Sequence, residues 1–238
     1  MKINQSISIF GVLLHVLAVI TGLFLIAIST WGDMEADSYG FPRRASARLS
    51  GLNCPILLTR NETGTISLKV SNPTDQLLHP SARTEISADF EPQVFVESID
   101  LAPGETKTLE WSVAPENVVL GNFILANVQV YASYPIPNRE KTCGILIMDL
   151  PGTGNMIVTA LAVFTAIGLG LGLYSMSKSG LLKVRGSNIW IAILFLSVLI
   201  VGGLIFSFMG SWIPAIGILV LAVLTSLMLM NLTLFRES

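Results

Sequence analysis

Charge is scarce in this chain. Only 13% of its 238 residues are Asp, Glu, Lys or Arg, against 52% hydrophobic, whereas soluble domains carry roughly 25% charge. That deficit argues against an ordinary cytosolic protein. Histidine and cysteine are rarer still, with two of each. There is no Gly-rich loop ending in Lys-Ser or Lys-Thr, no HExxH, no CxxC and no CxxCH. Phosphate-cradling, zinc-protease, dithiol and c-type haem chemistry therefore lack their motifs. His79 is followed by Pro80 in an expected turn, with no Ser or Cys nucleophile evident beside it. A net charge of −2 and the lack of a basic patch argue against nucleic acid as a partner. No repeat at solenoid or propeller periods is found. The expectation is a protein that is not an enzyme, with no catalytic residue, no metal site and no cofactor assigned.

What the chain has in quantity is uninterrupted apolar sequence. Residues 7–29, 156–177, 188–209 and 213–235 contain no charge, and each suffices for the roughly 20-residue helix that crosses a bilayer. Outside them, Lys2, Lys178, Lys183, Arg185 and Arg236 stand against the single acid Glu237. The block 31–152 holds nine basic and fifteen acidic residues. Positive charge beside spans stays cytoplasmic, so both termini and the 178–187 loop are expected inside and 31–152 exported. A cleaved signal peptide is the competing reading of the first span, with Ala27 and Ser29 near a cleavage site. Its apolar run of 23 residues exceeds the roughly 7–15 of a signal core, which favours a retained anchor.

From Cys54 onward the pattern changes to short alternating runs. Ile66, Leu68 and Val70 alternate with Thr65, Ser67 and Lys69 before Asn72-Pro73 breaks the run. Further strands are expected at 54–59, 82–88, 93–99, 106–113, 123–132 and 142–149, with Pro103-Gly104 and Gly121-Asn122 as turns. That density is the one expected of an immunoglobulin-like sandwich, with Trp111 in its core. The segments Val70-Ser71-Asn72-Pro73-Thr74-Asp75 and Leu101-Ala102-Pro103-Gly104-Glu105-Thr106 resemble a pair of turns in prokaryotic cell-adhesion-related and alpha-galactosidase-associated Ig-like modules. The resemblance covers roughly 60–149. It implies an Ig-like fold, exported placement and a prokaryotic plasma membrane, and it brings no catalytic residue with it.

Cys54 and Cys143 fall in the first and last expected strands of this block. Terminal strands of a sandwich can lie close, and an oxidising compartment favours their pairing as a disulfide; two buried free thiols are the alternative. Residues 31–50 read as a linker leaving the membrane, with Trp31 at the interface. Within it Tyr39-Gly40-Phe41-Pro42-Arg43-Arg44 is read as irregular and solvated. Asn61-Glu62-Thr63 is a glycosylation sequon.

The spans carry almost nothing ionisable. His15 lies in the first and Asn231 near the end of the fourth. A lone histidine makes no metal site by itself. His15 is expected to hydrogen-bond a neighbouring helix, with a cofactor shared with another subunit as the weaker reading. Small residues recur at helical spacing in the second span: Ala162, Ala166 and Gly170 on one stripe, Gly168 and Gly172 on the next. Such stripes let helices approach closely, either within the chain or against another subunit. The division expected is 1–30 (cytoplasmic start and first helix), 31–50 (linker), 51–152 (exported Ig-like sandwich), 153–177 (second helix), 178–187 (cytoplasmic loop), 188–209 (third), 210–235 (tight turn and fourth) and 236–238. The fold class is thus four transmembrane α-helices with an all-β sandwich inserted between helices 1 and 2. Functionally this reads as a non-catalytic accessory or scaffold subunit of a membrane complex. Its partners would be the lipid bilayer, other membrane subunits and an exofacial protein or glycan. The alternative is a stand-alone envelope receptor or adhesion protein; a small transporter would need a polar path that these spans do not supply.

Overall fold

A computed structural model of the chain describes residues 5–45, 47–131, 137–179 and 187–234. Of the charges used for orientation, Lys178 is among them, while Lys2, Lys183, Arg185, Arg236 and Glu237 lie outside the described residues. The chain forms two compact units, one comprising residues up to Thr30 and from Ile157 onward, the other Trp31–Met156.

Four long helices appear where charge is absent: α1 (Gln5–Ser38), α2 (Gly154–Lys178), α3 (Ser187–Phe208) and α4 (Trp212–Leu234). Each holds a stretch long and apolar enough to cross a bilayer. In the helical unit α1 packs on α2 through glycines, and on α3, where Gly203 meets Ile26. The turn after α3 is a Schellman motif. Gly210 takes φ +61°, its N–H donates to the Ser207 carbonyl (2.9 Å), and the Ser211 N–H donates to that of Phe206 (2.9 Å). Trp212 then opens α4 instead of closing the turn, and Pro214 sits in the first turn, where its missing N–H costs little.

The second unit is two facing β-sheets. One has the order β1 (Ala47–Arg48), β10 (Arg139–Met148), β9 (Phe123–Tyr131), β5 (Ser81–Ile86), β6 (Gln93–Ser98), with β3 (Leu57–Thr59) also on β10 and β8 (Val118–Val119) on β9. The other is β2 (Leu52–Asn53), β4 (Gly64–Ser71), β7 (Thr106–Val113). All pairings are antiparallel except those of β1 and β3 with β10. Period-2 alternation supplies the core between them: Ile66 and Leu68 from β4, Trp111 and Val113 from β7, Ala82 and Ile86 from β5, Ile124, Ala126 and Val128 from β9. Trp111 donates its indole N–H to Glu97 (2.8 Å), so its one polar atom is satisfied at the edge of that core.

Strand β9 departs from half-burial, because its side chains are buried on both faces of the sheet. The reason corrects the reading of 31–50 as a linker. Helix α1 runs past the uncharged stretch to Ser38 and ends where Gly40 takes φ +94° ahead of Pro42. No residue of 31–38 breaks a helix outright, and Ala36 with Phe41 closes over Phe123 and Leu125. Gly32 and Gly144 are in backbone contact there; a Cβ on Gly144 would run into the Gly32 carbonyl oxygen. The segment 39–45 is irregular as expected, with Gly40, Pro42, Arg43 and Arg44 exposed, but it is anchored to the sandwich. Phe41 is buried, Gln129 donates to the Pro42 carbonyl (2.9 Å), and the Arg44 and Ala45 amides donate to Glu140 (2.8 and 3.1 Å). Burial holds the Lys141 ammonium below its ordinary value, the Asp33 carboxylate opposing that shift and Arg48 adding to it.

Glu62 ties the start of α2 to the sandwich. Its carboxylate accepts from the Thr59 N–H (2.9 Å), the Thr59 hydroxyl (3.2 Å) and the Gly154 N–H (2.7 Å), where a negative charge also suits a helix N-terminus. Replacing Glu62 with alanine is expected to cost about 1.5 kcal/mol, since bonds to a charged acceptor are lost. Amide hydrogen exchange checks it: protection at Thr59 and Gly154 should fall, and unchanged protection would contradict the role.

Candidate interaction surface

The edges of the two sheets are unequally guarded. Strand β2 is two residues long, and the far edge of β10 is covered by β1 and β3. Strand β7 exposes Thr106, Lys107, Thr108, Glu110 and Ser112. Short or charged edges of this kind discourage pairing with another chain. Strand β6 lacks these protections. Among the described residues it pairs only with β5; it contains no Lys or Arg and leaves Val94, Phe95 and Val96 exposed, Val96 at 63%, with Phe90 ahead of it fully exposed.

The ladder decides which peptide groups face the open side. The Ile99 N–H donates to the Pro80 carbonyl (2.9 Å), and Ser81 is opposite Ser98. In an antiparallel pair, bonded and non-bonded positions alternate. Residues 93, 95 and 97 therefore turn their peptide groups to β5, while Val94, Val96 and Ser98 turn theirs outward. The surroundings are acidic: Asp89 and Glu91 lie exposed before the strand, Glu97 lies within it, and Asp100 follows, bonded to His79 (2.6 Å).

This surface was not singled out from the sequence. The signal present is Val94-Phe95-Val96, three consecutive apolar residues without alternation. Such a run fits a strand buried on both faces as well as an open apolar edge, and only the strand order separates the two.

Cys54 and Cys143 form a disulfide with a Cα–Cα distance of 6.5 Å, linking the segment after β2 to β10. His15 is buried, 6% exposed, where α1 packs on α2 at Gly172. In α2 the two small-residue stripes differ. Cβ atoms placed on Gly168 and Gly172 would lie 2.7 Å from Ala18 Cβ and 2.8 Å from His15 Cβ, so this stripe seats α1. Ala166 and Gly170 are exposed and Ala162 is half-buried, and nothing lies within 4 Å of a Cβ on Gly170. His79 sits on the surface with Asp100, and Asn61 of the sequon is exposed. Among the described residues no group of three or more His, Cys, Asp or Glu could hold a metal ion. A cleft beside Leu49, Lys69 and Arg139 measures about 60 Å³, room for roughly two waters.

No family model and no curated protein matches the chain. Among solved structures it is similar to a CARDB domain from Pyrococcus furiosus in complex with di-metal ions, at 13% identity and TM-score 0.33, over 45% of this chain and 98% of that one. It is also similar to a Paenibacillus cycloisomaltooligosaccharide glucanotransferase complexed with cycloisomaltoheptaose, at 12% identity and TM-score 0.34, over 45% of this chain. A Bacteroides uniformis beta-glucuronidase 2 matches at 13% identity and TM-score 0.32, over 40% of this chain. The chain spans only 15% and 12% of those two enzymes. At this level of likeness the comparisons add nothing to what the strand order already states.

Proposed function

We propose that the chain is a non-catalytic accessory subunit of a membrane protein complex, anchored by four helices, whose exported β-sandwich contacts a partner along β6. The observation that carries this reading is the open apolar edge of β6, since natural sheets rarely leave such an edge unguarded. Insertion is supported by helices whose outward faces are covered with Leu, Ile, Val, Phe and Met, surfaces too apolar to face water. Export is supported by the disulfide and by the charge asymmetry, which puts both termini and the 178–187 loop in the cytoplasm. The exposed stripe of Ala162, Ala166 and Gly170 suits helix contact with another subunit. The exposed aromatics Phe90 and Phe95 also favour the second reading, a stand-alone receptor or adhesion protein.

Photo-crosslinking in native membranes separates these. A benzophenone amino acid at Val94 is expected to capture a distinct protein that also co-purifies stoichiometrically in mild detergent, and the same probe at Thr108 on β7 should not. A chain that runs alone at 25.6 kDa or as a homo-oligomer, with no crosslink at Val94, would reject the accessory reading.

A further inference from the structure

Resting on that reading and naming the partner's chemistry, we infer that β6 takes up an extended peptide segment as an additional antiparallel or parallel strand, apolar at alternate positions and flanked by Lys or Arg. Three independent features converge on this occupant. The outward peptide groups of Val94, Val96 and Ser98 are donors and acceptors at every second residue, the spacing with which an added strand pairs, and this is how strand addition gains affinity. Val94 and Val96 lie on one face of the sheet with Arg83 and Glu85, and Phe95 on the other with Thr84, so an added strand would find apolar neighbours on both faces. Charge selects the flanks. Asp89 and Glu91 lie exposed before the strand and Asp100 lies exposed after it beside His79, while Glu97 accepts from Trp111; no Lys or Arg occurs between residues 89 and 100.

A second copy of the chain fits this edge less well. Two β6 strands aligned antiparallel would bring the acidic ends of each beside the other, and like charges placed opposite are unfavourable. Pro92 bounds the usable edge on one side, because it has no N–H to donate. The site is therefore about six residues long, Gln93–Ser98.

The test uses the full chain in lipid nanodiscs and a fluorescent peptide, Lys-Lys-Thr-Val-Thr-Val-Thr-Lys-Lys, read by anisotropy. Saturable binding is expected, weakened at least tenfold by N-methylation of alternate peptide groups on one edge of the probe. It should weaken comparably when Glu replaces Lys, and it should fall as salt rises. Val96→Pro removes an outward N–H without taking one from the β5 ladder, and is expected to abolish binding with the disulfide and the unfolding midpoint retained. Val96→Lys, which cannot disturb the backbone in the same way, should weaken the lysine-flanked probe at least tenfold and guards against misfolding of the proline variant. Binding indifferent to N-methylation and to Val96→Pro would overturn strand addition. Equal binding of the Glu-flanked probe would overturn the basic-flank assignment. Self-association of the chain that Val96→Lys disrupts, without peptide binding, would make a second copy the occupant and overturn the inference. If no probe binds while Val94 still crosslinks a partner in native membranes, strand addition fails and the accessory-subunit reading survives; if the crosslink is missing as well, both fail.

Discussion

Replacing both Cys54 and Cys143 with alanine is expected to destabilise the β-sandwich by about 4 kcal/mol, the chain-entropy value for a loop of roughly 90 residues. The two cysteines are separated by 89 positions, so the cross-link closes a loop that takes in most of the sandwich and lowers the entropy of its unfolded state. Cys54 directly follows β2, an edge strand of the small sheet β2-β4-β7, and the bond holds that edge to β10 of the larger sheet. Denaturant unfolding of the detergent-solubilised chain, with and without reductant, measures the effect. Reduction should lower the midpoint of the natural chain and leave that of the double variant where it is. Cys143 is itself buried in the core, so the variant alone would mix cavity and cross-link effects, and the reductant comparison separates them. An unchanged midpoint on full reduction would show that the cross-link contributes no stability.

Asn72→Ala is expected to cost about 3 kcal/mol, because it removes the hydrogen bonds that one buried amide gives and accepts, each worth roughly 0.5–1.5 kcal/mol net. Asn72 is 1% exposed. Its amide donates to the carbonyls of Gln76 (2.7 Å), Leu101 (3.0 Å) and Ala102 (3.1 Å). Its side-chain oxygen accepts from the Thr74 N–H (3.0 Å) and hydroxyl (2.7 Å). The backbone completes the junction: the Asn72 N–H donates to the Glu105 carbonyl (2.9 Å), and the Gly104 N–H donates to that of Asn72 (3.0 Å). Asn72→Asp should be worse than alanine, since a carboxylate would face three carbonyl oxygens. The measurement is the unfolding midpoint of both variants. A loss below about 1 kcal/mol for alanine would mean that water replaces the amide and that the junction is less closed than its geometry states.

The same residue shows how far reading the chain alone can go. Asn72-Pro73 and Pro103-Gly104 are legible as turns because their chemistry is local. That one side chain joins them, across 30 positions, is a property of the sandwich. The strands show the same division. Those at 64–71, 81–86, 93–98, 106–113 and 123–131 overlap the expected runs: half-burial imprints a period of two on 64–71, whereas 93–98 and 123–131 stand out as apolar runs bounded by turn residues. The last strand begins at Arg139, ahead of the expected 142, since Arg139, Glu140 and Lys141 carry no apolar period yet pair with Val130, Gln129 and Val128. The run of helix into 31–38 was hidden for a related reason: acidic residues suggested solvent, whereas glycine contact with β10 at Gly144 and burial of Ala36 and Phe41 hold those turns in place.

Length and charge alone determined four apolar helices, a β domain between the first and second, and two cysteines within that domain, because each rests on composition over twenty residues or on a short-range period. Only the tertiary structure decided that the cysteines pair, that Gly168 and Gly172 rather than Gly170 seat α1, and that β6 is the open apolar edge. Those outcomes depend on which strand or helix ends beside which, and a one-dimensional pattern records how much of a residue is buried far better than what buries it.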